Sequence, residues 1–208
     1  VAAAQDAGFE LLVATPPQWA AAMLPHVGEL LVEQAQLEKK AAAAAVQFLF
    51  RLPVGPASLR ELSALAREEL VHFERTVQLL QRRGIASAPQ QPSPYAERLK
   101  AVAAGALAER LADELLVAAA IEARSRERLG LLAVAFRDQD PALAGFYADL
   151  AAAEARHAPL YAQLAAEVVG PQRVAQRQRA VLQHEAAVLR ALPWAPRLHS
   201  GFAGGHGC

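Results

Sequence analysis

Ala66-Arg67-Glu68-Glu69-Leu70-Val71-His72-Phe73-Glu74 carries Glu69 and His72 three residues apart, and Ala153-Glu154-Ala155-Arg156-His157 repeats the same Glu-x-x-His spacing. Residues three apart share one face of an α-helix, so each pair presents a carboxylate and an imidazole to a single point. Either pair alone is a weak signal, since about half of one such match arises by chance in a chain of this composition. Their distance from the nearest helix breaks makes them informative. Glu69 lies 13 residues after Pro56 and Glu154 lies 13 after Pro141, while Glu38 lies 15 before Pro53 and Glu122 lies 15 before Arg137. In an antiparallel helical hairpin, residues equally far from the turn are level. Each half of the chain therefore offers a lone glutamate opposite a Glu-x-x-His pair at one height.

Around these anchors Ala, Leu, Glu, Gln and Arg dominate, and β-branched residues rarely alternate with polar ones, which predicts an all-α chain. Prolines and glycines divide it into core helices at about 16–51, 58–83, 107–136 and 141–169, with a jog at Pro25. Thr15 and Ser58 are the expected caps of the first two. The proline-rich stretch 85–94 reads as a surface crossover leading into a short helix over 95–104. A fifth helix is expected at about 172–192, and an irregular or frayed tail at 193–208. Core helices of about 28 to 30 residues span about 40 to 45 Å. Two short turns and one long crossover then join two antiparallel hairpins across the bundle. That is the connectivity of a ferritin-like four-helix bundle, here with short extra helices and a C-terminal helix, in a single domain over 1–208.

The 208 residues balance 21 Lys+Arg against 21 Asp+Glu, and 54% are hydrophobic. A chain of this kind buries a core and is neither disordered nor fibrous. Its single cysteine, Cys208, rules out an internal disulfide, a Cys-x-x-Cys metal knuckle and an iron–sulfur cluster. No apolar run is long enough for a membrane span and no basic leader precedes one, so a cytoplasmic protein without a membrane partner is expected.

Packing the two hairpins about a pseudo-twofold axis brings Glu38, Glu69, His72, Glu122, Glu154 and His157 together in mid-bundle. This is the ligand set of di-iron and di-manganese carboxylate proteins. Leu and Ala flank the glutamates, and four ionised carboxylates in such surroundings are very costly without compensating charge. Two divalent ions supply it. Oxygen-rich sites with one imidazole per metal suit iron or manganese. Tyr147 and Tyr161 are spaced by seven on either side of Glu154 and are candidates to flank the site. Glu68 and Glu74 point around the helix from the first pair and read as solvated. Ser125 and Arg126 lie about one turn beyond Glu122, where an arginine can bind an anionic substrate or pair with a carboxylate behind the ligands.

Several blocks together resemble the MiaE family of tRNA 2-methylthio-N6-isopentenyl-adenosine hydroxylases. They are Leu30-Leu31-Val32-Glu33-Gln34-Ala35-Gln36-Leu37-Glu38-Lys39-Lys40-Ala41-Ala42 with Phe48-Leu49-Phe50-Arg51, the stretch 66–74, Ile121-Glu122-Ala123-Arg124-Ser125 with Glu127-Arg128, and Glu154-Ala155-Arg156-His157. The resemblance spans about Phe9 to Trp194. It departs from the family at Glu33-Gln34, where an Asp-His pair is common, and at Leu37, where a cysteine is common. The resemblance implies an O2-dependent non-haem di-iron monooxygenase, with two iron ions on the six residues named above. It also implies an external electron donor, meaning an electron-transfer protein or reductase, and the anticodon stem-loop of tRNA as partner.

Charge alone gives tRNA binding less support, because most nucleic-acid binders carry a basic stripe and this chain is neutral. The arginines are unevenly placed, however. Arg173, Arg177 and Arg179 on the fifth helix, with Arg82 and Arg83 at the end of the second, are the candidate phosphate contacts. A ferritin-like iron-storage protein and a manganese catalase are the alternative readings of the same metal site.

Overall fold

The computed structural model describes residues 9–88 and 90–202, so the expectation that rests on Cys208 and the last part of the tail expected over 193–208 lie outside the described residues. Helix α1 spans Pro17–Met23, and a 3-10 turn over Leu24–His26 leads into α2, Val27–Arg51. The expected jog at Pro25 falls within that turn. Helix α3 spans Pro56–Arg82, α4 Tyr95–Lys100, α5 Leu107–Phe136, α6 Pro141–Val169 and α7 Pro171–Ala191. Proline opens α3, α6 and α7, where its fixed φ is already helical and its missing N–H is not needed. Asp140 caps α6 by accepting the Leu143 N–H at 3.0 Å. Gly170, with φ 85°, turns the chain from α6 into α7 in a conformation that other residues rarely adopt.

Three local expectations are corrected. Thr15 and Ser58 do not cap helices: Pro16 and Gly55 hold those positions, because the prolines that follow them set the helix starts. Ser58 instead donates its hydroxyl to Glu167 of α6 at 2.7 Å, and Thr15 donates to Glu127 of α5 at 2.6 Å. Helix α4 stops at Lys100, short of the expected Ala104. There the Ala104 N–H turns to the Asp113 carboxylate at 3.2 Å and Gly105 takes φ 90°.

Helix α2 packs along α3, α5 packs along α6, and α7 lies against α5 and α6. Two apolar clusters form the core. One includes Leu62, Leu115, Leu116, Tyr161, Leu164 and Leu189. The other includes Trp19, Leu31, Leu80, Leu129, Leu132 and Leu150. On each of α2, α3, α5 and α6 one cluster ends before, and the other begins after, the glutamate singled out from the sequence. A polar layer is thereby held between two dry ones. Each fully buried Leu contributes about 1.5 to 3 kcal/mol, so the layers on either side fix the height of the one between.

The tail is irregular as expected, but over the described residues 193–202 it is packed rather than frayed. Leu198, His199 and Ser200 are buried. The Leu198 N–H donates to Glu33 at 2.5 Å, and Arg128 Nη1 donates to the carbonyls of Leu198 at 2.5 Å and Ser200 at 2.8 Å. A fully buried guanidinium needs acceptors, and the tail backbone provides them. Gly201 then passes so close to α7 that a Cβ there would lie 1.8 Å from the Leu192 carbonyl oxygen. Among the described residues, no helix is long and apolar enough to cross a membrane.

Candidate metal centre

All six residues expected to share a site converge in the polar layer, and none is more than 5% exposed. Glu38 comes from α2, Glu69 and His72 from α3, Glu122 from α5, and Glu154 and His157 from α6. One ligating atom each from Glu69, Glu122, Glu154 and His157 lies within 4.8 Å of the others, and the same holds for Glu38, Glu69 and His72. Glu69 belongs to both groups. His157 Nδ1 lies 2.8 Å from Glu69 Oε1 and 3.0 Å from Glu154 Oε2, and His72 Nδ1 lies 3.4 Å from Glu69 Oε2 and 3.8 Å from Glu38 Oε2. Both imidazoles therefore turn Nδ1 toward the carboxylates.

The donor set fits a pair of cations better than it fits itself. Glu69 Oε1 is buried and has no aligned hydrogen-bond donor, despite the nearby imidazole. Burial, followed by the charge of their carboxylate neighbours, drives Glu38 and Glu122 well above the usual carboxylate range. Burial also opposes ionisation of Glu69, but the two imidazoles of His157 and His72 beside it outweigh that and hold the carboxyl at about 2. Burial works against the charge on His157 as well, and Glu154 and Glu69 overcome it, pushing the imidazole up to about 10. Four carboxylates against two imidazoles can balance only by taking up protons or metal cations.

The surrounding layer was only partly legible in the sequence. Gln34 donates to Glu38 Oε1 at 2.6 Å, so the departure from the family pattern at this position puts an amide onto a clustered carboxylate. Glu68 is not merely solvated, as its position on α3 suggested: its Oε2 lies 3.1 Å from His157 Nε2, and Arg156 holds its other oxygen. A carboxylate on the outer nitrogen fixes the ring so that Nδ1 faces inward. Tyr161 reaches the site with its hydroxyl buried and unpartnered, whereas Tyr147 packs between Phe136 and Phe146 in the apolar core.

Ser125 lies 3.1 Å from His199 Nε2, while Arg126 is exposed. His199 is itself buried. It stacks on Tyr95 at 4.8 Å, and burial holds it at about 3, hence neutral. Arg124 and Arg128, to which the sequence reading gave no role, are fully buried beside it. Arg124 donates to Glu185 of α7 from Nε at 3.0 Å and Nη2 at 3.1 Å, and to the Val13 carbonyl at 2.8 Å.

A cavity of about 610 Å³ opens from this layer to solvent between α2 and α5. Glu38, Glu122 and Glu154 lie at its floor, and Ala41, Ala44, Phe48, Val117, Ala118 and Ile121 form apolar walls. The five arginines proposed from the sequence do not line it. Arg83 is paired with Asp140 at 2.7 Å, Arg173 with Glu109, and Arg177 with the buried Asp113, while Arg82 and Arg179 are exposed.

Comparison with known proteins agrees with this architecture. The model of the family tRNA-(MS2IO6A)-hydroxylase (MiaE) matches residues 6–200. The tRNA 2-(methylsulfanyl)-N(6)-isopentenyladenosine(37) hydroxylase of Pseudomonas putida is 34% identical over 187 residues, 90% of each chain. The protein of the same name from Salmonella typhimurium is 35% identical over 150 residues, 72% of this chain and 54% of that one. A solved Synechococcus protein described as having aldehyde deformylating oxygenase activity superposes with a TM-score of 0.82 at 38% identity, over 92% of this chain and 96% of its own. The family match runs through all four helices that bring the glutamates together, and this all-α, ferritin-like chain belongs to the MiaE family of tRNA hydroxylases.

Proposed function

We propose that this protein hydroxylates the isopentenyl group of 2-methylthio-N6-isopentenyl-adenosine beside the anticodon of tRNA, at a non-haem di-iron centre held by Glu38, Glu69, His72, Glu122, Glu154 and His157. The observation that carries this reading is the cavity, whose apolar walls end on three of the carboxylates. Two bound iron ions, re-reduced by an external electron-transfer protein or reductase, would supply the redox chemistry with O2. The balance is one C–H bond, one O2, two electrons and two protons giving one C–OH and one water.

The chain's own residues do the rest. Ala41, Ala44 and Ala118 leave room for a branched five-carbon chain, and Phe48 and Ile121 close the walls around it so that water is excluded from the reacting carbon. Gln34 steadies Glu38, and Glu68 steadies His157. With tRNA as substrate, the proposed site of action is the cytoplasm.

Hypomodified tRNA incubated with iron-loaded protein, O2 and a reductant should yield a nucleoside heavier by one oxygen atom; an unchanged nucleoside mass sinks the reading. The likeness to the Synechococcus protein favours one second reading, oxygen-dependent deformylation of a free aldehyde to an alkane and formate in the same apolar cavity. Alkane release from a long-chain aldehyde, with no change to tRNA, is the result that selects it. Iron storage and peroxide disproportionation use only small inorganic species, so neither accounts for an open apolar cavity of this volume.

A further inference from the structure

We propose that Lys40, Lys100 and Arg110 grip the RNA backbone at the mouth of this cavity, with Phe50 as a platform on which a neighbouring base stacks. This inference rests on the reading of tRNA as substrate and says where on the protein the RNA sits. Lys40 comes from the middle of α2, Lys100 from the end of α4 and Arg110 from the first turn of α5, so the three cations reach the mouth from three different elements. All three are exposed. Among the described residues, none has a carboxylate within 4.0 Å, whereas Arg51 on the same rim is held by Glu114 at 2.6 Å. A free cation meets a phosphate without first breaking an ion pair, which Arg83, Arg173 and Arg177 would have to do.

Phe50 supplies the second, independent observation. It is 86% exposed, the most exposed of the large hydrophobic residues among those described. It follows Ala43, a residue of the mouth, by two helical turns, and so shares its column on α2. Its neighbours Gln47 and Arg51 also line the mouth. Aromatic rings beside unpaired cations are how proteins hold unstacked bases of single-stranded RNA loops, and base stacking contributes about 1 to 3 kcal/mol per base. The arrangement sorts the substrate by chemistry: the alkyl group fits the apolar walls and the phosphates stay at the basic rim. It also removes the difficulty of a neutral chain, because a local cluster suffices where net charge gives none.

The test is binding without turnover. Iron-loaded protein under nitrogen is titrated with a fluorescent anticodon stem-loop carrying the isopentenyl nucleoside, across a range of salt concentrations. The triple variant Lys40→Gln, Lys100→Gln, Arg110→Gln should flatten the dependence of log affinity on log salt by about two to three, since each lost phosphate contact removes about 0.7 to 0.9. Phe50→Ala should weaken binding about tenfold or more while leaving that slope in place. These side chains are exposed, so helical circular dichroism should match the parent.

An unchanged slope in the triple variant overturns the inference even if the parent hydroxylates tRNA. A slope that flattens instead in Arg82→Gln, Arg179→Gln moves the RNA away from this rim, to the arginines of α3 and α7, and overturns it too. A parent that binds the RNA through this rim but adds no oxygen refutes the proposed reaction alone, and a parent that binds no RNA refutes both.

Discussion

Replacing Arg124 with methionine tests whether the buried polar network beside the cavity stabilises the fold through paired charge. Arg124 and Glu185 are both fully buried, and they meet through two hydrogen bonds, at 3.0 and 3.1 Å. Glu185 also accepts the Tyr95 hydroxyl at 2.7 Å. Methionine keeps much of the volume but leaves Glu185 with that one neutral donor, strips the Val13 carbonyl of its guanidinium donor, and leaves the Thr15 hydroxyl with Arg128 alone as donor. Removing one partner of a buried ion pair costs about 3 to 5 kcal/mol, most of it the uncompensated charge left behind. At about 2 to 4 °C per kcal/mol for a chain of this size, Arg124→Met should lower the melting temperature by roughly 6 to 20 °C.

The double variant Arg124→Met, Glu185→Leu removes both charges, and most of that loss should return. With the single variant Glu185→Leu included, urea unfolding followed by circular dichroism gives the four free energies of the cycle, and the change in the double variant minus the changes in the two single variants isolates the pair. A cost below about 1 kcal/mol for Arg124→Met, or a double variant no more stable than that single one, refutes the reasoning.

Three further outcomes are expected. Burial raises the Glu33 carboxyl to about 7, so the parent loses stability as pH rises from the unfolded value near 4.5 through 7 and levels off above. Glu33→Gln should match the parent at pH 4 and exceed it by about 2 to 3 kcal/mol at pH 8, and an equal difference at both pH values contradicts this. Gly201→Ala forces a Cβ against the Leu192 carbonyl oxygen, and should cost about 2 kcal/mol and expose the tail to proteolysis; a parent-like digestion pattern argues against it. Glu69 is shared by both ligating groups and His157 belongs to one. Elemental analysis of iron-loaded protein should therefore show about two irons per chain falling to about none in Glu69→Ala and about one in His157→Ala, with helicity kept; full occupancy in either variant refutes the proposed ligand set.

The four long helices and the convergence of six residues were legible because both rest on local rules: a period of 3.6 residues, proline and glycine as punctuation, and equal distances from a turn. What stayed hidden depends on partners far away in sequence. Glu68, turned about 100° from Glu69 on its own helix, reads as solvent-facing until α6 is packed alongside and brings His157 Nε2 within 3.1 Å. Arg124 and Arg128 look like two more arginines in an arginine-rich chain; only the tail and Glu185 explain why they are buried. Thr15 and Ser58 have the chemistry of caps, but the neighbouring prolines set the helix starts elsewhere. Of the arginines chosen for RNA, Arg83, Arg173 and Arg177 are each held by a carboxylate, which a sequence that only counts charges does not show.

Arg128 has a topological consequence. Its Nε donates to the Thr15 hydroxyl at 3.2 Å and its Nη1 to the Ser200 carbonyl at 2.8 Å, so segments 185 positions apart share one guanidinium. The backbone is in effect a closed loop pinned at that side chain. A circular permutant that bridges these two segments with a short linker, and reopens the chain in the crossover at 85–94, cuts none of the four helices that carry the clustered glutamates. The order in which the two hairpins are synthesised is thus separable from the way they pack.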